Sequence, residues 1–187
     1  WSLGYGNHSA MESIHHYFTR IENANGQVRE PNKDLGLLKA NHFVLGYERK
    51  LGKNLLIKME AYYQQLYNLP VANSDTNLFS TINEGLDFQY VDLVNKGKGS
   101  NYGIELTLER FFNRNYYYLI NASVYNSTYK ALDGIKRNTR FNGNYLVNAL
   151  FGKEFPKRAG RNTKPFALTS GQSFGAAKNI IQCLANE

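Results

Sequence analysis

Cysteine is almost missing. Cys183 stands alone in 187 residues, so no internal disulfide can form and no cysteine cluster can hold a metal. Long hydrophobic runs are missing too: no stretch reaches the roughly 18 apolar residues a transmembrane helix needs. The opening Trp1-Ser2-Leu3-Gly4-Tyr5 has neither a basic nor an apolar stretch, so it reads as mature or internal sequence rather than a secretory signal. Dense basic runs are also lacking. The net charge is +7, yet lysine and arginine are dispersed and mostly beside turns: Arg49, Lys50 and Lys53; Arg110 and Arg114; Lys153, Lys157, Arg158 and Arg161. A groove that tracks nucleic-acid phosphates needs basic residues crowded together with aromatics between them. No nucleic-acid partner is expected.

What is present is tyrosine. There are 14 Tyr and 11 Phe, against 42% apolar residues and a mean hydropathy of -0.50. A membrane barrel places such aromatics in girdles at its two interfaces. A tyrosine-rich soluble β-sandwich would share this composition, so the pattern along the chain has to decide.

That pattern is alternation with a period of two, the mark of strands with two unlike faces. In residues 54–67, Leu55, Ile57, Met59, Ala61 and Tyr63 share one face, and Lys58, Glu60, Tyr62 and Gln64 the other. Tyr102, Ile104, Leu106 and Leu108 oppose Gly103, Glu105, Thr107 and Glu109. Tyr116, Tyr118, Ile120, Ala122 and Val124 oppose Tyr117, Asn121, Ser123 and Tyr125. Tyr145, Val147, Ala149 and Phe151 oppose Asn144, Asn148, Gly152 and Glu154, and a shorter version runs through Phe43, Leu45 and Tyr47. Strands of about ten residues exceed the soluble mode of roughly five or six. They match the nine to eleven or so that cross a bilayer at a tilt.

The connections alternate in length. Short polar turns are expected at Leu51-Gly52-Lys53, at Asn113-Arg114-Asn115 and within residues 156–162, and long polar loops over residues 8–38, 70–100 and 129–140. Short turns on one side and long loops on the other characterise outer-membrane barrels. The reading is an all-β, antiparallel, up-and-down transmembrane β-barrel segment, incomplete because five clear strands cannot enclose a polar lumen. Leu55, Ile57, Met59, Ile104, Leu106, Leu108, Val147 and Phe151 are expected to face lipid.

At this point the residues become recognisable. LGYERKLGKNLLIKMEAYYQQLYNLPV (residues 45–71), NKGKGSNYGIELTLERFF (95–112), DGIKRNTRFNGNYLVNALFGKEF (133–155) and the opening GYGNHS (4–9) stand in one order and spacing. Together they resemble the C-terminal barrel of TonB-dependent receptors of the Bacteroidetes type, over residues 1–163. The resemblance implies a barrel of about 22 strands in the outer membrane of a Gram-negative bacterium, its lumen filled by an N-terminal plug. It implies active uptake of a scarce nutrient, such as a siderophore, cobalamin or a glycan, driven by the TonB complex through the N-terminal region. Its partners would be membrane lipid, its own plug and the remaining barrel strands. The sequence carries no plug, no TonB box and no terminal strand ending in an aromatic residue, so transport by this chain alone is not expected.

Residues 164–187 leave the pattern. Read one base earlier, their possible codons over residues 174–183 are compatible with a Gly-Gly-x-x-Tyr turn of those receptors, which suggests a frameshift in the gene or its sequencing.

Candidate chemistry is thin. His8, Glu12, His15 and His16 cluster in sequence, but a metal site needs converging ligands with a second layer of support, and loop histidines more often serve as ordinary polar residues. Glu60, Glu105 and Glu109 can be read as acid–base carboxylates or as lumen lining, and lining is the simpler reading. No nucleophile elbow or phosphate-cradling loop occurs, so no enzyme, cofactor or metal is expected. Ligand contact is expected in the loops, with Tyr125 and Tyr129 as stacking surfaces and Asp133 as a polar contact. The alternative is a soluble β-sandwich that binds carbohydrate.

Overall fold

The computed structural model describes residues 1–23, 25–85, 88–155 and 166–175. The first strand, β1 (Ser2–Ala10), leads into a loop with a single helical turn, α1 (Ile14–Tyr17), and a small ribbon of β2 (Ile21–Glu22) and β3 (Val28–Arg29). Four long strands follow: β4 (Leu38–Leu51), β5 (Leu55–Ala72), β6 (Leu93–Asn113) and β7 (Tyr116–Lys130). The short β8 (Lys136–Asn138), then β9 (Tyr145–Phe155) and β10 (Phe166–Gly175), complete the described chain. The order across the sheet is β1-β4-β5-β6-β7-β9-β10, with β8 attached to β7. Every pairing is antiparallel. The molecule is all-β, an up-and-down meander whose sheet is open at β1 and β10 among the described residues.

The tight turns follow from local chemistry. Between β4 and β5 the chain reverses at Gly52, which sits at φ 66°. Between β6 and β7 the reversal uses Arg114 at φ 52° and Asn115 at φ 67°. Two consecutive positive φ values give the hairpin turn whose twist matches that of the strands. The turn expected within residues 156–162 lies outside the described residues.

The long loops are shorter than the sequence pattern implies, because the strands outrun their alternation. The ladder of β5 continues to Ala72 and that of β6 starts at Leu93, through register shifts between Leu66, Leu69 and Val71. β1 runs to Ala10, paired with Leu38. β8 occupies part of the loop after β7. The off-pattern tail contributes β10, which pairs with β9 from Phe166 to Gly175. Residues 176–187, with Cys183, lie outside the described residues.

The core does not lie between two sheets. It sits at the loop end, where Leu69, Val71, Ala72 and Leu93 are at most 3% exposed. Leu69, Tyr129 and Ala131 pack there with Leu38 and Ile82. Buried polar groups in this region are held by bonds across long sequence separations. Asn32 donates to the Val91 carbonyl and accepts from the Leu93 amide, each at 2.8 Å, and so acts as a substitute strand partner for the start of β6. His16 lies against Phe88 and is 2.8 Å from Glu84. Arg29 pairs with Asp92 at 2.8 Å, which ties the β2–β3 ribbon to the loop before β6.

Candidate functional site

Residues directly opposite in an antiparallel ladder share a face, so the register sorts side chains across the sheet. Leu51–Leu55, Ile57–Leu108–Ile120–Ala149 and Met59–Leu106–Ala122–Val147 are successive rows on one face, with Arg49 at the β4 end of the Ile57 row and Tyr47 at that of the Met59 row. The next rows toward the loops are Leu3–Leu45–Ala61–Ile104–Val124–Tyr145 and Tyr5–Phe43–Tyr63–Tyr102. All eight residues expected to meet lipid lie on this apolar face, Phe151 opposite Tyr118. Nothing described covers its centre: Ile104 is 56% exposed and Val124 66%. At the short-turn end, where Arg110 stands opposite Leu55, its guanidinium lies 4.4 Å above the Tyr116 ring. A cation above an aromatic face is favourable, and a long basic side chain at an interface keeps its head near water.

The opposite face is polar. Glu48, Lys58 and Thr107 form one row, and Gly46, Glu60, Glu105 and Ser123 the next. Val44, Leu146 and, in the row nearest the short turns, Leu56, Leu119 and Leu150 are apolar intrusions on it. Like charges directly opposite repel, and the Glu60–Glu105 pair is relieved by Lys58, whose ammonium is 2.8 Å from Glu60. Toward the loops, Asn101 donates to Gln64 at 2.8 Å and accepts from Ser127 at 2.7 Å, and Thr139 donates to Ser127 at 2.8 Å. This chain of bonds ties β5, β6 and β7 to the loop after β7.

Between these rows lies a groove of about 550 Å³, lined by His42, Glu60, Tyr62, Gln64, Glu105 and Tyr125 among others. Gly103 makes it possible. A Cβ there would come within 2.8 Å of the Tyr62 hydroxyl and 2.9 Å of the Tyr125 Cβ. Without that atom, the two tyrosines converge over β6. Two phenol rings with amides and carboxylates beside them suit a hydrated polar surface or a polyol.

The expected ligand contacts fare differently. Tyr125 lines the groove. Tyr129 is 7% exposed, packs against Leu69 and Ala131, and donates its hydroxyl to the Leu78 carbonyl at 3.1 Å. Its part is to hold the loops, and it is not a stacking surface. Asp133 is bound on both carboxylate oxygens by Arg137 and also accepts from the Ile135 amide. The Arg137 guanidinium beside it holds its carboxyl below the usual carboxylate range, with the Ile135 amide adding to the effect. Asp133 therefore fixes the turn before β8.

The sequence cluster of histidines does not converge. His8 is a diagonal neighbour of His42, their rings 6.5 Å apart. His15 sets its edge on Phe88, His16 pairs with Glu84, and Glu12 accepts from Thr81. Among the described residues no group of three or more His, Cys, Asp or Glu side chains converges as metal ligands would.

Among known proteins, no family model matches the chain, and searches of curated proteins and of solved structures give no match either.

Proposed function

We propose that this chain is part of the barrel wall of an outer-membrane TonB-dependent receptor, with its apolar face against lipid and its polar face toward a plug-filled lumen. The observation that carries the reading is the sorting of the two faces, row after row across β1, β4, β5, β6, β7 and β9. From the Leu55 row to the Tyr63 row the strand runs eight steps, about 27 Å, or about 20 Å along the membrane normal at a tilt of about 40°. The apolar band of such a wall is roughly 25 Å tall, flanked by aromatics. The aromatic row at Tyr5, Phe43, Tyr63 and Tyr102 supplies one flank, and Tyr116, Tyr118 and Phe151 supply the other.

On this reading the groove with Tyr62 and Tyr125 faces the plug and the ligand path. Together with the missing plug, the remaining strands and the TonB complex, the wall serves uptake of a scarce nutrient in the outer membrane of a Gram-negative bacterium. It has no catalytic part, and its carboxylates hydrate the lumen. A soluble carbohydrate-binding sandwich would need a second layer over the apolar face. The described residues form one sheet and a two-stranded ribbon.

Met59→Arg puts a charge at mid-band on the apolar face, between Tyr47 and Leu106, at a cost of roughly 2–4 kcal/mol. It should abolish insertion into phosphatidylcholine vesicles, whereas Thr107→Arg, on the polar face, should insert like the parent. Equal insertion of both variants would contradict the assignment of faces, and failure of Thr107→Arg alone would reverse it. A parent chain that stays monodisperse without detergent and ignores vesicles would favour the sandwich.

A further inference from the structure

We propose that the apolar face, where it passes its aromatic row toward the loops, carries a site for the phosphate of membrane-lipid head groups, formed by Lys98, Lys130 and Lys136. The proposal rests on the barrel-wall reading and adds a specific lipid contact to it.

The register lays out the approach to the site in three steps. The aromatic row Tyr5–Phe43–Tyr63–Tyr102 is followed, two residues on, by Asn7, Asn41, Gln65, Ser100 and Thr128, all amides or hydroxyls. Two residues further stand Lys98, Lys130 and Lys136, directly opposite one another on β6, β7 and β8. Apolar, aromatic, neutral polar and then cationic is the order of surroundings met on leaving a bilayer with anionic head groups. Four residue steps carry the strand about 10 Å along the normal at a tilt of about 40°. A lysine side chain reaches back from there into a head-group zone roughly 5–8 Å deep.

The charge arrangement asks for a counter-anion. Like charges directly opposite in a ladder are destabilising. Here three stand in line, all exposed, and none of them is in an ion pair among the described residues. They rim a cleft of about 320 Å³ that also presents Gln65, Ser100 and Thr128 and contains no carboxylate. The hydroxyls of Ser100 and Thr128 are 3.0 Å apart at its floor. Three ammonium groups beside a neutral, hydroxyl-lined cleft suit a phosphate monoester, which lysine binds as a point charge. Each lysine near an anionic lipid surface contributes a separate increment of attraction, weakened by salt.

The test is calorimetric titration of the detergent-solubilised chain with short-chain phosphatidic acid, with phosphatidylcholine and with inorganic phosphate. The parent should bind phosphatidic acid and not phosphatidylcholine. The triple variant Lys98→Gln/Lys130→Gln/Lys136→Gln, with an unchanged far-ultraviolet spectrum, should lose affinity by on the order of tenfold or more. Lys50→Gln/Lys53→Gln, at the opposite end of the strands, should bind like the parent. Undiminished binding by the triple variant would overturn the site. Inorganic phosphate binding as tightly as phosphatidic acid would overturn the lipid assignment. Failure of the wall reading has a separate signature, since the parent would then not enter neutral vesicles at all.

Discussion

At the scale of single residues, the face a side chain occupies was readable, and its partner was not. Tyr125 and Tyr129 are four apart on one face of β7, and the sequence treats them alike. One lines the groove because Gly103 leaves it space. The other is enclosed by loop residues from Leu69 to Ala131, a burial that depends on contacts no local pattern encodes. The buried roles of Asn32 and His16 are illegible in the sequence for the same reason, since their partners lie 61 and 68 residues away. Asp133 reads in the sequence as a ligand contact in a loop, and its salt bridge with Arg137 gives it a testable pH dependence. A carboxyl that folding makes more acidic adds stability above its ordinary pKa near 4, and that stability is lost as pH falls through the lowered value. Amide-exchange protection at Lys136, Arg137 and Asn138 should therefore hold from neutral pH down to about pH 4 and fall below it. Asp133→Asn, which cannot ionise, should show the weaker protection at every pH. Equal protection in variant and parent at neutral pH would mean that the pair does not hold this turn.

At the scale of elements, alternation located the strands only where the two faces meet different surroundings. Residues 102–109 alternate cleanly, and β6 was legible there. From Leu93 to Ser100 the strand reads LVNKGKGS, with loops packed on one face and lysines on the other, so no apolar period survives. Backbone pairing carries it, together with the Asn32 and Asn95 side chains that bond the loops beside it. β10 is similar: Ser170, Gly171, Gln172 and Ser173 show no alternation, yet the free edge of β9 accepts them. The turns were legible from composition, though not their backbone conformation. Arg114 and Asn115 both occupy the left-handed region, where a non-glycine residue costs roughly 1–2 kcal/mol and asparagine less. Asn115→Gly should therefore stabilise the β6–β7 hairpin by about 0.5–1 kcal/mol in reversible urea unfolding. Asn115→Val should destabilise it by more. Unfolding midpoints insensitive to both changes would mean that this turn does not help set the register.

At the scale of the whole molecule, a single curtain of strands with little core of its own needs its surroundings to supply the second layer. Its buried residues gather under the loops, and among the described residues nothing covers the centre of the apolar face on β6 and β7. Lipid on that face and a plug on the other would supply both layers at once. Among the described residues nothing pairs with the outer edges of β1 and β10; in the proposed wall further strands would cover them, because exposed edges otherwise pair with whatever strand they meet. The central claim is that the two faces of this sheet meet different solvents. It is tested most directly by a cysteine scan of residues 55–64 in a Cys183→Ser background. Each site would carry a fluorophore, with the chain in vesicles and quenchers supplied either in the lipid chains or in the water. The account predicts strict alternation, with positions 55, 57, 59, 61 and 63 quenched from the lipid and 56, 58, 60, 62 and 64 quenched from the water. Equal quenching from water at odd and even positions would contradict it.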